Sequence, residues 1–194
     1  MTKLTHEDLM TLETYSRERN DFRAKVMSHK KNRRVALGDN TTLYFEDKLT
    51  IQYQIQEMLR IEKIFEYGAI DEELNAYNPL IPDGKNWKAT FMIEYTDTTE
   101  RKIALEKLIG VENSIWVQID DFEKVFAIAD EDLERNNSEK TSAVHFMRFE
   151  FTTDMINAAK KGTEIKIGSE HANLNIDNVI TENVKQSLSA DFND

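Results

Sequence analysis

The sequence predicts an α+β fold: a mixed or antiparallel sheet of hairpins packed with about five to six helices. Two observations carry this. Stretches of period-two alternation, at residues 87–95 and 142–151, are interspersed with stretches of helical period, above all 48–65. The strands also come as turn-joined neighbours, which favours hairpins over a doubly wound parallel sheet. A hydrophobic content of 40% supplies the core such layers need.

Thr5 with Asp8 approximates a capping box and Leu4 with Leu9 sits at hydrophobic-staple spacing, so a first helix is expected over residues 6–17. Asn20 or Asp21 can cap a second helix ending near Lys31. Residues 34–37, the turn Gly38-Asp39-Asn40 and residues 42–45 read as a hairpin. Residues 48–65 form the longest expected helix. A helical turn over 71–77 is stopped by Asn78-Pro79, and Pro82-Asp83-Gly84 is a turn. After the strand 87–95, Asp97 with Glu100 offers an N-cap for a helix through Ile109. Residues 114–119 and 124–129 pair as a hairpin across Asp120-Asp121-Phe122, and the polar stretch 130–140 reads as a mobile loop. The strand 142–151 is followed by a helix over 154–161 with Gly162 at its C′ position. A strand over 163–167 and a last helix over 181–189 complete the chain.

The 194 residues suit a single domain, 1–194, with a helical N-terminal part (1–84) and a mixed sheet part (85–194). The absence of cysteine excludes disulfides, thiolate nucleophiles and thiolate-ligated zinc or iron–sulfur clusters. Any redox role then falls to a partner, a bound cofactor, or an iron or zinc ion held by histidine and carboxylate. The first residues lack the apolar core of a signal peptide, and no apolar run approaches the ~20 residues that span a bilayer. A cytoplasmic protein without a membrane partner is expected. The net charge of −11 argues against wrapping nucleic acid.

One segment departs from that charge. Residues 17–34 hold eight cations against Glu18 and Asp21, a local charge of +6. Such a block marks an anion site or an internal electrostatic clamp. On the helical wheel Arg23 and Lys30 fall between Val26 and Met27, the apolar side, so they need anions facing the protein body. Arg33 and Arg34 begin the hairpin and join them as candidate anion-binding residues. The anions are either carboxylates of this chain, Glu57 or Glu62 among them, or a phosphate or nucleotide. Arg17, Arg19, Lys25 and Lys31 read as solvated charges.

Two further residues stand out. On the 48–65 helix Glu62 falls near the centre of the stripe Ile51, Ile55, Met58, Leu59 and Phe65. A carboxylate aimed at a core must be paired, protonated or metal-bound. Strand alternation places His145 with Ala143, Met147, Phe149 and Phe151, inside an apolar layer. Glu62 and His145 together could orient a metal, act as general acid and base, or hold two elements together. His171 and Glu170 could add ligands, although the spacing matches no compact metal signature. Dinucleotide, phosphate-loop and nucleophile-elbow motifs are absent.

Several stretches resemble one family. They are Arg33-Arg34-Val35-Ala36-Leu37-Gly38, Phe45-Glu46-Asp47, residues 54–62, residues 75–84, and Lys140-Thr141-Ser142-Ala143-Val144-His145-Phe146. Together they are similar to the bacterial domain-of-unknown-function family 3501 (DUF3501), over nearly the whole chain. The resemblance implies a gene neighbourhood of rubrerythrin-like di-iron proteins and iron–sulfur oxidoreductase subunits, and hence a role in peroxide or iron-linked stress. It supplies no catalytic residues. The expectation is an accessory protein that docks on such a partner. The alternatives are a metal-dependent enzyme or sensor built on Glu62 and His145, and an anion-binding module built on the basic block.

Overall fold

A computed structural model describes residues 3–131, 135 and 139–193. Among the described residues six α-helices pack with two antiparallel sheets. In chain order these are α1 (Leu12–Lys30), β1 (Arg34–Ala36), β2 (Thr41–Glu46), α2 (Lys48–Glu62), α3 (Tyr67–Tyr77), β3 (Asn86–Ile93), α4 (Thr98–Lys107), β4 (Ile115–Ile119), β5 (Val125–Phe126), β6 (Ile128–Ala129), β7 (Val144–Glu150), α5 (Thr153–Lys160), β8 (Ile165–His171), β9 (Leu174–Val179) and α6 (Glu182–Ser189). The first sheet has the order β1-β2-β3-β7-β6 and the second β5-β4-β8-β9.

Alternation along the strands makes the main core. Leu43 and Phe45 of β2, Trp87, Ala89 and Phe91 of β3, and Met147 and Phe149 of β7 turn inward from the first sheet. They share one apolar cluster with Ile115, Val117, Ile165 and Ile167 of the second. Helices α5 and α6 close this core through Met155, Ile156, Val184 and Leu188. A smaller cluster of Leu4, Ile51, Ile55, Leu59, Leu74 and Ile81 joins α2 and α3 to the N-terminal segment. Among the described residues no helix is long and apolar enough to cross a membrane.

Several boundaries differ from the sequence expectation, each for a local reason. The Thr5–Asp8 box closes only a 3-10 turn over His6–Asp8, with the Asp8 carboxylate accepting from Thr5 N at 2.8 Å. Thr11 then caps α1, which runs unbroken to Lys30 because nothing near Asn20 interrupts it, so one helix replaces the two expected. Helix α2 stops at Glu62, where Lys63 turns left-handed with φ 56°. The 125–129 strand serves both sheets: β5 pairs with β4, and β6 crosses to pair with β7. Finally, β8 runs on to His171 and returns as β9, an edge strand with its own polar–apolar alternation. Most of the polar stretch expected as a mobile loop, residues 132–134 and 136–138, lies outside the described residues.

Candidate functional site

The outward face of the first sheet forms the floor of a cleft. Residues between the core positions point there, and the register sets them in rows: Tyr44, Thr90 and Phe146, then Glu46, Lys88, Arg148 and Ile128. Thr50, Ile51 and Gln54 of α2, with Tyr77 and Leu80 after α3, stand over this floor. The cleft has two adjoining lobes. An inner lobe of about 280 Å³ is bounded by Lys30, Tyr44 and Glu46, and an outer one of about 520 Å³ by Lys88, Arg148, Glu131 and Pro79. Tyr77, Leu80 and Phe146 line both.

Charges in the cleft are unevenly matched. Glu46 is 8% exposed, yet its carboxylate is held by hydroxyls, accepting from Thr50 Oγ1 (2.6 Å) and Thr90 Oγ1 (2.9 Å). Arg148 donates twice to Glu131 (2.8 and 2.7 Å) and once to Glu150 (2.5 Å). These hydrogen bonds hold the Glu131 carboxyl below its usual value. Lys88, half-buried between Glu46 and Arg148 in the row, bonds to neither. Among the described residues it has no hydrogen-bonding or ion-pairing acceptor. Burial first, and the charge of Arg148 second, pull its ammonium below the usual lysine value. Burial and the nearby Glu94 push the Tyr44 phenol up.

The predicted anion-binding residues separate. Arg33 is 2% exposed and closes on the chain's own Asp191, at 3.1 and 2.5 Å, with Asp47 at 3.4 Å. Burial opposes the charge on Asp47, but Arg33, the Thr50 amide and His29 outweigh it and hold that carboxyl low. Arg34 is exposed. So is Arg23, because the inward stripe of α1 runs through Tyr15, Phe22 and Val26 and leaves Arg23 outside it. Arg19, expected in solvent, makes a bidentate pair with Glu57 at 2.7 and 2.8 Å. Lys30 alone of the four candidates lines the cleft.

The expected Glu62–His145 pair does not form. Glu62 is exposed on the last residue of α2, where its charge, after burial itself, raises the carboxyl of Glu73. His145 is fully buried on β7 as predicted, but its carboxylate is Asp130: Nδ1 donates to Asp130 Oδ2 at 2.6 Å, and Nε2 lies 2.9 Å from Thr141 Oγ1. Carboxylate, imidazole and hydroxyl follow the order of a nucleophilic triad. His145 is 0% and Thr141 2% exposed, so among the described residues the hydroxyl is closed off from solvent, and the trio locks Asp130 against β7. His171 sits in the β8–β9 hairpin of the second sheet, donating from Nε2 to Ile109 O (3.1 Å) and accepting at Nδ1 from Asn173 N (3.2 Å). Glu170 pairs with Lys124 at 2.7 Å. Among the described residues no three histidine or carboxylate groups gather to hold a metal ion.

The family profile described as "Protein of unknown function (DUF3501)" matches residues 3–192. The chain belongs to DUF3501. A crystal structure of a novel protein of unknown function from Burkholderia pseudomallei K96243 is 47% identical, with a TM-score of 0.94, covering 99% of this chain and 100% of that one. No curated protein matches. DUF3501 membership thus fixes the fold and leaves the role of the cleft to its chemistry.

Sequence reasoning passed over Glu46 and Lys88. The alternation Trp87, Ala89, Phe91, Ile93 already puts Lys88 on the opposite face of β3. That α2 and α3 stand over that face is a matter of tertiary packing, and no local pattern announces it.

Proposed function

We propose that this DUF3501 protein is a cytoplasmic accessory protein that holds a small organic molecule in the cleft between the first sheet and α2–α3. One observation carries the reading: Glu46, a nearly fully buried carboxylate held by two threonine hydroxyls, lies on the floor of a cleft whose apolar walls are Ile51, Leu80, Met92, Val144 and Phe146. Burying a carboxylate beside apolar surface costs stability unless it is hydrogen-bonded, and ligand pockets combine apolar walls with a few polar groups placed in this way. The outer lobe, of about 520 Å³, suits a small ligand, given that such sites span roughly 300–1,000 Å³, and the inner lobe of about 280 Å³ extends it. The test is thermal unfolding against a panel of cationic, neutral and anionic small molecules, with Thr90→Trp as a variant that fills the cleft. At least one class should raise the melting temperature of the parent chain and leave a folded Thr90→Trp unmoved. Stabilisation that Thr90→Trp retains, or none in any class, sinks the reading.

A second reading, docking on a rubrerythrin-like or iron–sulfur partner, is favoured by a different surface. At the α2–α3 corner Ile61, Phe65 and Tyr67 are 61%, 70% and 70% exposed. Exposed apolar clusters of this kind mark interaction sites. Native pull-downs with the parent chain and Phe65→Asp check it. Recovery of the same redox protein by both chains, or by neither, counts against this surface.

A further inference from the structure

We infer that the ligand of this cleft is an amphiphilic organic anion, its carboxylate or phosphate bound by Lys88 and its apolar body lying on Phe146 and Leu80. The inference rests on the cleft being a ligand site and adds the class of ligand. Lys88 occupies the middle of a central strand, directly opposite Arg148, and like charges so placed destabilise a sheet. Arg148 is relieved by Glu131 and Glu150, whose carboxylates close on its guanidinium. Glu46, on the other side of Lys88, turns its oxygens to Thr50 and Thr90. Asp83, Glu131 and Glu150 act on Lys88 only as charges at a distance. A half-buried ammonium is thereby left with its donors unspent, facing the outer lobe.

The other groups select among ligands. Lys30, at the inner lobe, also lacks a hydrogen-bonding or ion-pairing acceptor among the described residues. A cationic ligand therefore meets two uncommitted ammonium groups, and the two carboxylates lining the lobes, Glu46 and Glu131, already accept hydrogen bonds from Thr50 and Thr90 and from Arg148. A neutral ligand leaves Lys88 unsatisfied, whereas an anion supplies the missing acceptor as a charge-assisted bond. Between the lobes the shared walls are Phe146, Leu80 and the ring of Tyr77, which ask for hydrocarbon or an aromatic ring.

Four probes with one body separate the possibilities: hexanoate, hexyl phosphate, hexylamine and 1-hexanol, titrated calorimetrically into the full chain, Lys88→Met, Lys88→Arg and Thr90→Trp. The expected result is binding of one or both anions and of neither other probe, the stronger anion telling carboxylate from phosphate recognition. Lys88→Met should weaken that binding about tenfold or more, and Lys88→Arg should restore most of it. Lys88→Met should also melt no lower than the parent, since it removes a like-charge neighbour of Arg148. Equal or tighter binding of hexylamine or 1-hexanol, lost in Thr90→Trp, overturns the anion assignment and keeps the cleft as a ligand site. Unchanged anion binding in Lys88→Met overturns the role of Lys88, and a lower melting temperature in that variant marks it as a structural lysine instead. Binding of none of the four at millimolar concentration overturns the assignment, and the broader small-molecule panel then decides the cleft itself.

Discussion

Arg33 donates every N–H it has: Nε to Phe45 O, Nη1 to Asp191 and Ser187, Nη2 to Glu46 O and Asp191. One side chain thus ties the start of the first hairpin to the C-terminal segment beyond α6. Arg33→Met strands the buried Asp191 and should cost about 3–5 kcal/mol in chemical denaturation. Arg34→Met, at an exposed neighbour, should stay within about 0.5 kcal/mol. Equal effects at the two positions would refute the clamp. Lysine at 33 is not expected to rescue, because a point charge cannot serve acceptors arranged around a planar fork. The basic block was legible as an anion-seeking segment, and for Arg33 the clamp alternative holds. Asp191 lies 158 positions away, a pairing no local pattern announces. His145 shows the same limit, since its burial followed from strand alternation but its partner Asp130 did not.

Helix α1 separates two readings of one segment. If Asn20 capped a second helix, proline beside it would be tolerated; inside a continuous Leu12–Lys30 helix it removes a hydrogen bond and clashes with the preceding turn. Asp21→Pro should therefore cost about 3 kcal/mol and lower helical circular dichroism. A melting temperature equal to the parent's would restore the two-helix reading. Strands and hairpins were legible where alternation met turn residues, as at 34–45 and 86–93. The expected strand over 163–167 covers only the start of β8, and β9 has no counterpart in the sequence expectation. In the structure Gly168 is there for space: a Cβ would sit 2.2 Å from Ile176 O and 2.4 Å from the Trp116 ring. Gly168→Ala has to part β8 from β9 or displace Trp116, and should destabilise by about 1–3 kcal/mol. A neutral substitution would show that the hairpin gives way more easily than this packing implies.

Across the whole molecule the two carboxylate clamps titrate in opposite directions. Glu57 is drawn down to about 2, chiefly by its hydrogen bond from Arg19 and against burial. A carboxyl lowered by folding adds stability that is present above its unfolded value and lost as pH falls through the folded one, so this clamp fails in acid. Asp191 behaves conversely. Burial, partly offset by Arg33, pushes it up to about 6 from the usual 3.8. Between those values the folded chain holds a proton that the unfolded chain has released, so stability falls as pH rises through that window. The sum is a stability curve with an acid limb from Glu57, helped by the lowered Asp47, and a second decline between pH 4 and 6 from Asp191. Asp191→Asn should remove that second decline while keeping the acid limb; Glu57→Gln should blunt the acid limb and keep the decline. Thermal unfolding from pH 3 to 8 with the three chains reads both slopes, and a decline between pH 4 and 6 that persists in Asp191→Asn would assign it to another group. The two clamps link different parts of the fold, Arg19–Glu57 holding α1 to α2 and Arg33–Asp191 holding the first hairpin to the C-terminus. Acid should accordingly loosen the α1–α2 contact first, seen as earlier amide exchange in α2 than in β3 or β7.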